Sequence, residues 1–94
     1  IAEGDTEKSK PDPEPYNVAY DRMAAHMQSQ GQTPPPKSAC LVIEDSKGGA
    51  QAGGASAIPT IFWKASSTTP DSPHATYNVT GRDDFLKLIM QLKP

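Results

Sequence analysis

The first regular pattern of apolar residues along the chain has helical spacing. Four large side chains fall at i, i+4, i+7 and i+11, on one face of a 3.6-residue helix: Tyr16, Tyr20, Met23 and Met27. The pattern predicts a helix from Tyr16 to Gly31, where glycine can end it. The apolar stripe is more typical of a packing surface than of a cofactor site.

The most apolar run of the chain, ASAIPTIFW at residues 55–63, has the character of a strand. Its β-branched and aromatic residues predict a strand over residues 57–64. Pro59 stands inside this run, and proline has no N–H to donate to a neighbouring strand. The proline therefore predicts an edge strand or the start of a strand.

A second strand is predicted over residues 74–80, where apolar and polar residues alternate. Turn-forming residues fill positions 65–73, between the two predicted strands. The two strands and their loop together favour an antiparallel hairpin.

The end of the chain has the clearest helical pattern. Thr80 or Gly81 can cap this helix, and Asp83 and Asp84 follow near its positive end. Four residues then form one apolar face: Phe85, Leu88, Ile89 and Leu92. The pattern predicts an amphipathic terminal helix.

The segment between the first helix and the proline-containing strand has two interpretations. Residues 40–43, CLVI, fit either a buried strand or the first turns of a helix capped by Ser38, and four residues are too few to decide. Glycines at 48, 49, 53 and 54 weaken any helix that continues. The glycine-rich part matches no phosphate-binding loop, so a flexible connection is favoured.

Length and composition argue for one small domain or part of a larger one. The 94 residues are 35% apolar and include 10 prolines and 7 glycines, which predicts a thin core. Residues 1–15 are rich in charge and proline and predict an arm or linker, so the domain is expected over residues 16–94. Because the first residue is Ile and no signal peptide is visible, the chain is expected to begin after processing or to be part of a longer protein.

Charge and residue chemistry argue against several classes of function. The net charge of -2 gives no electrostatic footprint for nucleic acid, and no apolar run is long enough to span a membrane. One cysteine, Cys40, and two distant histidines, His26 and His74, are too few for a structural zinc site. The sequence predicts no cofactor, no metal site and no catalytic set of side chains.

A resemblance to a known family rests on Ile58-Pro59-Thr60, the IFW that follows, the second strand and the terminal helix. This order resembles the C-terminal half of a thioredoxin fold, and more fully the periplasmic disulfide isomerases of the DsbC and DsbG type. The similarity covers Cys40 to Leu92, and more loosely extends back to Tyr16. It implies an α/β fold, as an α+β-like fragment with two helices, a cis-proline strand, a second strand forming a β-hairpin with it, and a terminal helix.

The resemblance also implies a site. It places the family's cis-proline on Pro59 and the residue that contacts substrate through its backbone on Ile58. It places residues 38–52 on a helix, where Cys40 would be a buried, inert thiol. The catalytic CxxC of the family is absent from this sequence.

Two functions are consistent with these features. The first is the C-terminal part of a periplasmic thiol-disulfide oxidoreductase or isomerase, whose CxxC lies outside this chain and whose substrates are unfolded or misoxidised proteins. The alternative is a non-catalytic, thioredoxin-like binding or interaction module. A hairpin leaves strand edges unpaired, so such a module is expected to need a missing N-terminal half, another chain or a homo-oligomer to cover them.

Overall fold

The computed structural model describes residues 10–92, which form three helices, a short 3-10 turn and a three-stranded sheet. In chain order the elements are α1 (Glu14–Ser29), the 3-10 turn (Lys37–Ala39), β1 (Val42–Glu44), α2 (Lys47–Ala55), β2 (Thr60–Lys64), β3 (Tyr77–Thr80) and α3 (Gly81–Leu92). The α/β class is confirmed, as are the first helix, the two strands after residue 57 and the terminal helix. Most of the predicted arm, residues 1–9, lies outside the described residues.

The sheet has the order β1-β2-β3, and both strand pairs are parallel. The predicted antiparallel hairpin is therefore wrong. The connection between β2 and β3 returns the chain to the end of the sheet where β2 begins. There the Thr76 N–H donates to the Thr60 carbonyl (2.8 Å), and the Thr60 N–H donates to the Thr76 hydroxyl (3.0 Å).

The helices lie on both faces of this sheet. Gly53 of α2 faces Val42 and Thr60, which are register partners and share one face. On the opposite face, the Phe85 ring of α3 lies 4.7 Å from the Trp63 ring, centroid to centroid. The buried apolar core between these layers is small: Val42, Ala50, Ala52, Ile58, Ile61, Phe62 and Val79.

The residues around CLVI form a strand. Val42–Glu44 is β1, so the local strand interpretation is correct. Of the helix over residues 38–52 implied by the resemblance, only residues 47–52 are in an α-helix. The Val42 N–H donates to the Pro59 carbonyl at 2.9 Å. This pairing is a long-range contact, and four residues of sequence do not reveal it.

The glycine-rich segment, expected to be a flexible connection, is the helix α2. Ser46 caps it, because the Ser46 hydroxyl accepts a hydrogen bond from the Gly49 N–H at 3.0 Å. A Cβ added at Gly53 would clash with the side chain of Thr60 and come within 3.1 Å of Val42. The glycines lower helix propensity, but here they let the helix backbone approach the sheet closely.

The first helix begins two residues before the predicted start at Tyr16. α1 starts at Glu14, with Pro13 in helical conformation as its N-cap and Pro15 buried in its first turn. Proline is tolerated in the first turn because its missing N–H has no partner there in any case.

Two glycine substitutions in α2 test this packing. Gly53→Ala is expected to lower the free energy of unfolding by about 1–3 kcal/mol, because the added methyl group overpacks the contact with Thr60 and Val42. Gly48→Ala is the matched control, since its Cβ would meet only the Lys10 Cβ at 3.9 Å. There the better helix propensity of alanine is expected to raise stability by up to about 1 kcal/mol. Urea unfolding followed by circular dichroism measures both, and equal effects at the two positions would contradict this account of α2.

Candidate functional site

The bend before β2 differs from the one expected. Among the described residues the cis peptide bond is Lys10–Pro11, so the bond between Ile58 and Pro59 is trans and the predicted cis-proline is wrong. The chain instead reverses at Ala57, whose φ of 65° lies in the left-handed region. Because Ala57 makes the turn, the strand entrance needs no cis bond.

The backbone carbonyls at this bend have partners inside the protein. The Pro59 carbonyl accepts the Val42 N–H, and the Ile58 carbonyl accepts the Thr60 hydroxyl at 2.9 Å. The Ile58 side chain is buried. Backbone contact of Ile58 and Pro59 with a substrate stays a prediction.

Cys40 lies between the 3-10 turn and β1, and it is half-buried. Its thiol lies 3.6 Å from the Pro36 carbonyl. The expected position on a helix and the expected burial are both wrong. The thiol instead lines an open groove.

This groove separates α1 from β1 and is a mainly apolar concavity with a volume of about 320 Å³. We call it the α1–β1 groove. One wall is the α1 face that the helical spacing predicted, and the other comes from the start of β1 and the bend before β2. Its lining is Tyr16, Ala19, Tyr20, Met23, Cys40, Leu41, Val42, Ile43 and Ile58.

Polar contacts hold α1 in place across one end of the groove. The carboxylate of Glu44, at the end of β1, forms an ion pair with Lys10 and accepts a hydrogen bond from the Tyr16 hydroxyl. Burial alone raises the pKa of Glu44, but the hydrogen bonds from Lys10 and Tyr16 and the charge of Lys10 outweigh it. The pKa of Glu44 therefore lies below its ordinary value of 4.5. Burial and the neighbouring carboxylate raise the pKa of Tyr16, so this hydroxyl keeps its proton as the donor.

A second set of contacts holds the other end. The Tyr20 hydroxyl donates to the Pro35 carbonyl at 2.7 Å. The Lys37 ammonium donates to the side chain of Asn17 at 2.8 Å and to the Ser56 carbonyl at 2.9 Å. The two tyrosines therefore line the groove, while their hydroxyls make hydrogen bonds within the fold.

The outer edge of β1 borders this groove. In a parallel ladder the N–H and C=O of one residue point to the same side, and successive residues point to opposite sides. The Val42 N–H bonds to β2, so the backbone groups of Leu41 and Ile43 point away from the sheet. No strand within residues 10–92 pairs with this edge, and the two residues are 40% and 50% exposed.

The second unusual surface is on α3. The helix packs on β3 and β2, yet none of its residues with described burial is classed as buried. Leu86 and Met90 are 45% and 65% exposed, and Ile89 lies between them on the helix surface. We call Leu86, Ile89 and Met90 the α3 surface.

Sequence reasoning identified one wall of the groove, the α1 stripe, but treated it as packing surface. It missed Ile43 and Leu41 as edge residues because their exposure depends on which strand pairs with β1. Leu86 and Met90 could have been noticed, since they widen the apolar stripe of the terminal helix beyond one packing face.

Comparison with known proteins yields no match: no family model matches the chain, and neither a curated protein nor a solved structure matches it. Within residues 10–92, none of the helices combines the length and apolar character that crossing a membrane requires. The same residues contain no cluster of three or more His, Cys, Asp or Glu side chains arranged to hold a metal ion.

The Glu44 contacts generate a prediction about pH. Because the pKa of Glu44 is lower in the folded state, its stabilising effect is complete above about pH 4.5 and is lost as pH falls through the folded-state pKa. Glu44→Gln is expected to lower the free energy of unfolding by about 1–2 kcal/mol at pH 7, through loss of charge-assisted hydrogen bonds. The difference from the native protein should shrink at pH 3, below the ordinary pKa of Glu44, where part of this stabilising effect is lost.

Urea unfolding at the two pH values measures this difference. Asp45→Asn is the control, because Asp45 is the exposed neighbouring carboxylate, and a change within about 0.5 kcal/mol is expected there. A Glu44→Gln effect that is the same at pH 3 and pH 7 would show that the carboxylate charge does not hold α1.

Proposed function

We propose that this protein is a non-catalytic interaction module that associates with a second copy of itself through the α3 surface. The observation that carries the proposal is that α3 has the pattern of a packed helix and leaves Leu86 and Met90 45% and 65% exposed. A contiguous apolar patch of this kind on a small domain marks an interaction site.

The small core supports self-association. Two of the buried apolar side chains, Ala50 and Ala52, are alanines, which bury little area. Domains of this size obtain limited stability from a single core and often gain more by forming oligomers. A second copy of the chain supplies an apolar partner of the same shape whenever the protein is present.

In a two-fold pair the two α3 helices run antiparallel, and the same flanks meet. A two-fold axis at the centre of the α3 surface, near residue 88, places Leu86 of one copy against Met90 of the other. The two most exposed side chains of the surface then cover each other.

The thiol-disulfide isomerase function, with its periplasmic location and its misoxidised substrates, stays an untested prediction. Two structural features on which it relied differ here, since the Ile58–Pro59 bond is trans and β2 and β3 are parallel. The interaction module is the alternative that retains support from geometry.

Substitutions on two neighbouring residues of α3 test the proposal. Met90→Glu places a charge in the apolar contact and is expected to convert the dimer to monomer. Gln91→Glu is the control, because Gln91 lies on another side of α3, where it lines a separate concavity beside β3. The dimer should persist in this variant. Light scattering coupled to size exclusion, over a wide range of concentrations, measures the mass of each.

A mixture of two variants distinguishes self-association from binding to a different protein. Leu86→Glu and Met90→Lys should each be monomeric alone and should associate when mixed, since the two altered residues meet across the two-fold axis. A native protein that remains monomeric at the highest concentration would refute self-association.

A further inference from the structure

We infer that the α1–β1 groove binds an extended, apolar peptide, which adds to the outer edge of β1 and places side chains against Tyr20, Met23 and Ile58. This site is separate from the α3 surface. The two require different residues, and the inference does not depend on self-association.

The main chain of β1 supplies the first element of recognition. The outward N–H and C=O groups of Leu41 and Ile43 are the groups that an added strand would pair with. Strand addition of this kind obtains affinity from main-chain hydrogen bonds and specificity from pockets for alternate side chains. A small apolar molecule could fill the groove but would leave these backbone groups without a partner.

The lining of the groove specifies the side chains of the peptide. No residue that lines it carries a charge. The hydroxyls of Tyr16 and Tyr20 already donate to Glu44 and Pro35, so these two residues offer the groove aromatic carbon rather than free hydroxyl donors. A charged side chain entering it would lose water without gaining a partner, whereas an aliphatic side chain would bury apolar area.

The walls of the groove are held at the separation that the structure shows. Glu44 fixes α1 near residue 16, and Lys37 fixes it through Asn17 and the Ser56 carbonyl. A preformed site avoids part of the ordering cost of binding. In an extended peptide alternate side chains point the same way, so alternating apolar and polar residues would present one apolar row to the groove.

The protein contains its own reporter for occupancy. Cys40 is the single cysteine of the sequence and lines the groove, so an occupant should shield its thiol. The probe is a capped peptide of alternating leucine and threonine with a lysine at each end for solubility. Its matched partner has the same sequence with every leucine and threonine N-methylated, which removes the N–H groups on both edges of the peptide and blocks strand pairing in either direction.

The experiment measures peptide binding by fluorescence anisotropy, and the rate at which iodoacetamide modifies Cys40. It uses both native protein and Met90→Glu, so that failure of the peptide site and failure of self-association are separate results. We expect saturable binding, with Cys40 modified several-fold more slowly when peptide is bound. The N-methylated peptide should bind at least about tenfold more weakly, since two or three main-chain hydrogen bonds are lost.

Replacement of two alanines of α1 by tryptophan locates the site. Ala19→Trp fills the groove and should abolish both binding and peptide-dependent protection of Cys40. Ala25→Trp adds the same side chain at an exposed position outside the groove and should leave both unchanged. Equal binding of the two peptides, unprotected Cys40 at saturation, or unchanged binding by Ala19→Trp would each overturn the inference, and circular dichroism of the two variants verifies that both are folded.

Discussion

The carboxylate of Glu44 is the group on which the arrangement of this small fold depends. It stands at the end of β1, receives Lys10 and Tyr16 from the N-terminal side, and lies against Gly49 in the first turn of α2. α1 packs mainly on α2 rather than on the sheet, so its position beside β1 is set by polar contacts more than by apolar burial. A half-buried carboxylate is stable as a charged group only where both of its partners, Lys10 and Tyr16, reach it. The contact therefore specifies one position for α1 beside β1. The α1–β1 groove exists because these contacts hold α1 near β1 without closing the space between them.

The glycines of α2 have a related effect on the face of β1 that this helix covers. They bring the α2 backbone so close to Val42 and Thr60 that there is no space for a side chain at Gly53. Close approach excludes water from that face, but it buries little apolar area because the contact is made by backbone and alanine. The contact between α2 and the sheet is therefore tight although the buried core is small. Large apolar side chains stay exposed beside β1 and on α3.

The sequence predicted the parts of the fold that are set by local patterns and failed where tertiary contacts decide. The stripe from Tyr16 to Met27 repeats over about three turns and the apolar face from Phe85 to Leu92 over about two, so both helices were recognised. α2 was missed because its glycines contradict helix propensity, and only the nearby sheet explains them. The direction of β3 depends on the hydrogen bonds between Thr60 and Thr76, which no spacing within either strand encodes. The resemblance combined these local patterns into an antiparallel hairpin and a cis bond before Pro59. The structure has parallel strands and a trans bond at these places.

The two candidate surfaces have one physical origin. A sheet of three parallel strands has two edges, and one of them is the outer edge of β1. No strand from residues 10–92 pairs with that edge, and α3 packs over β3 and β2 instead. α1 approaches that edge but leaves a groove, because Glu44 and Lys37 fix its distance through polar groups. The Ile58 side chain, singled out from the sequence for its place before a proline, lies in this groove for a different reason: the turn at Ala57 directs it there. The proline in the strand therefore marks the point where β2 begins, and the recognition chemistry lies one strand away, along the backbone of Leu41 and Ile43.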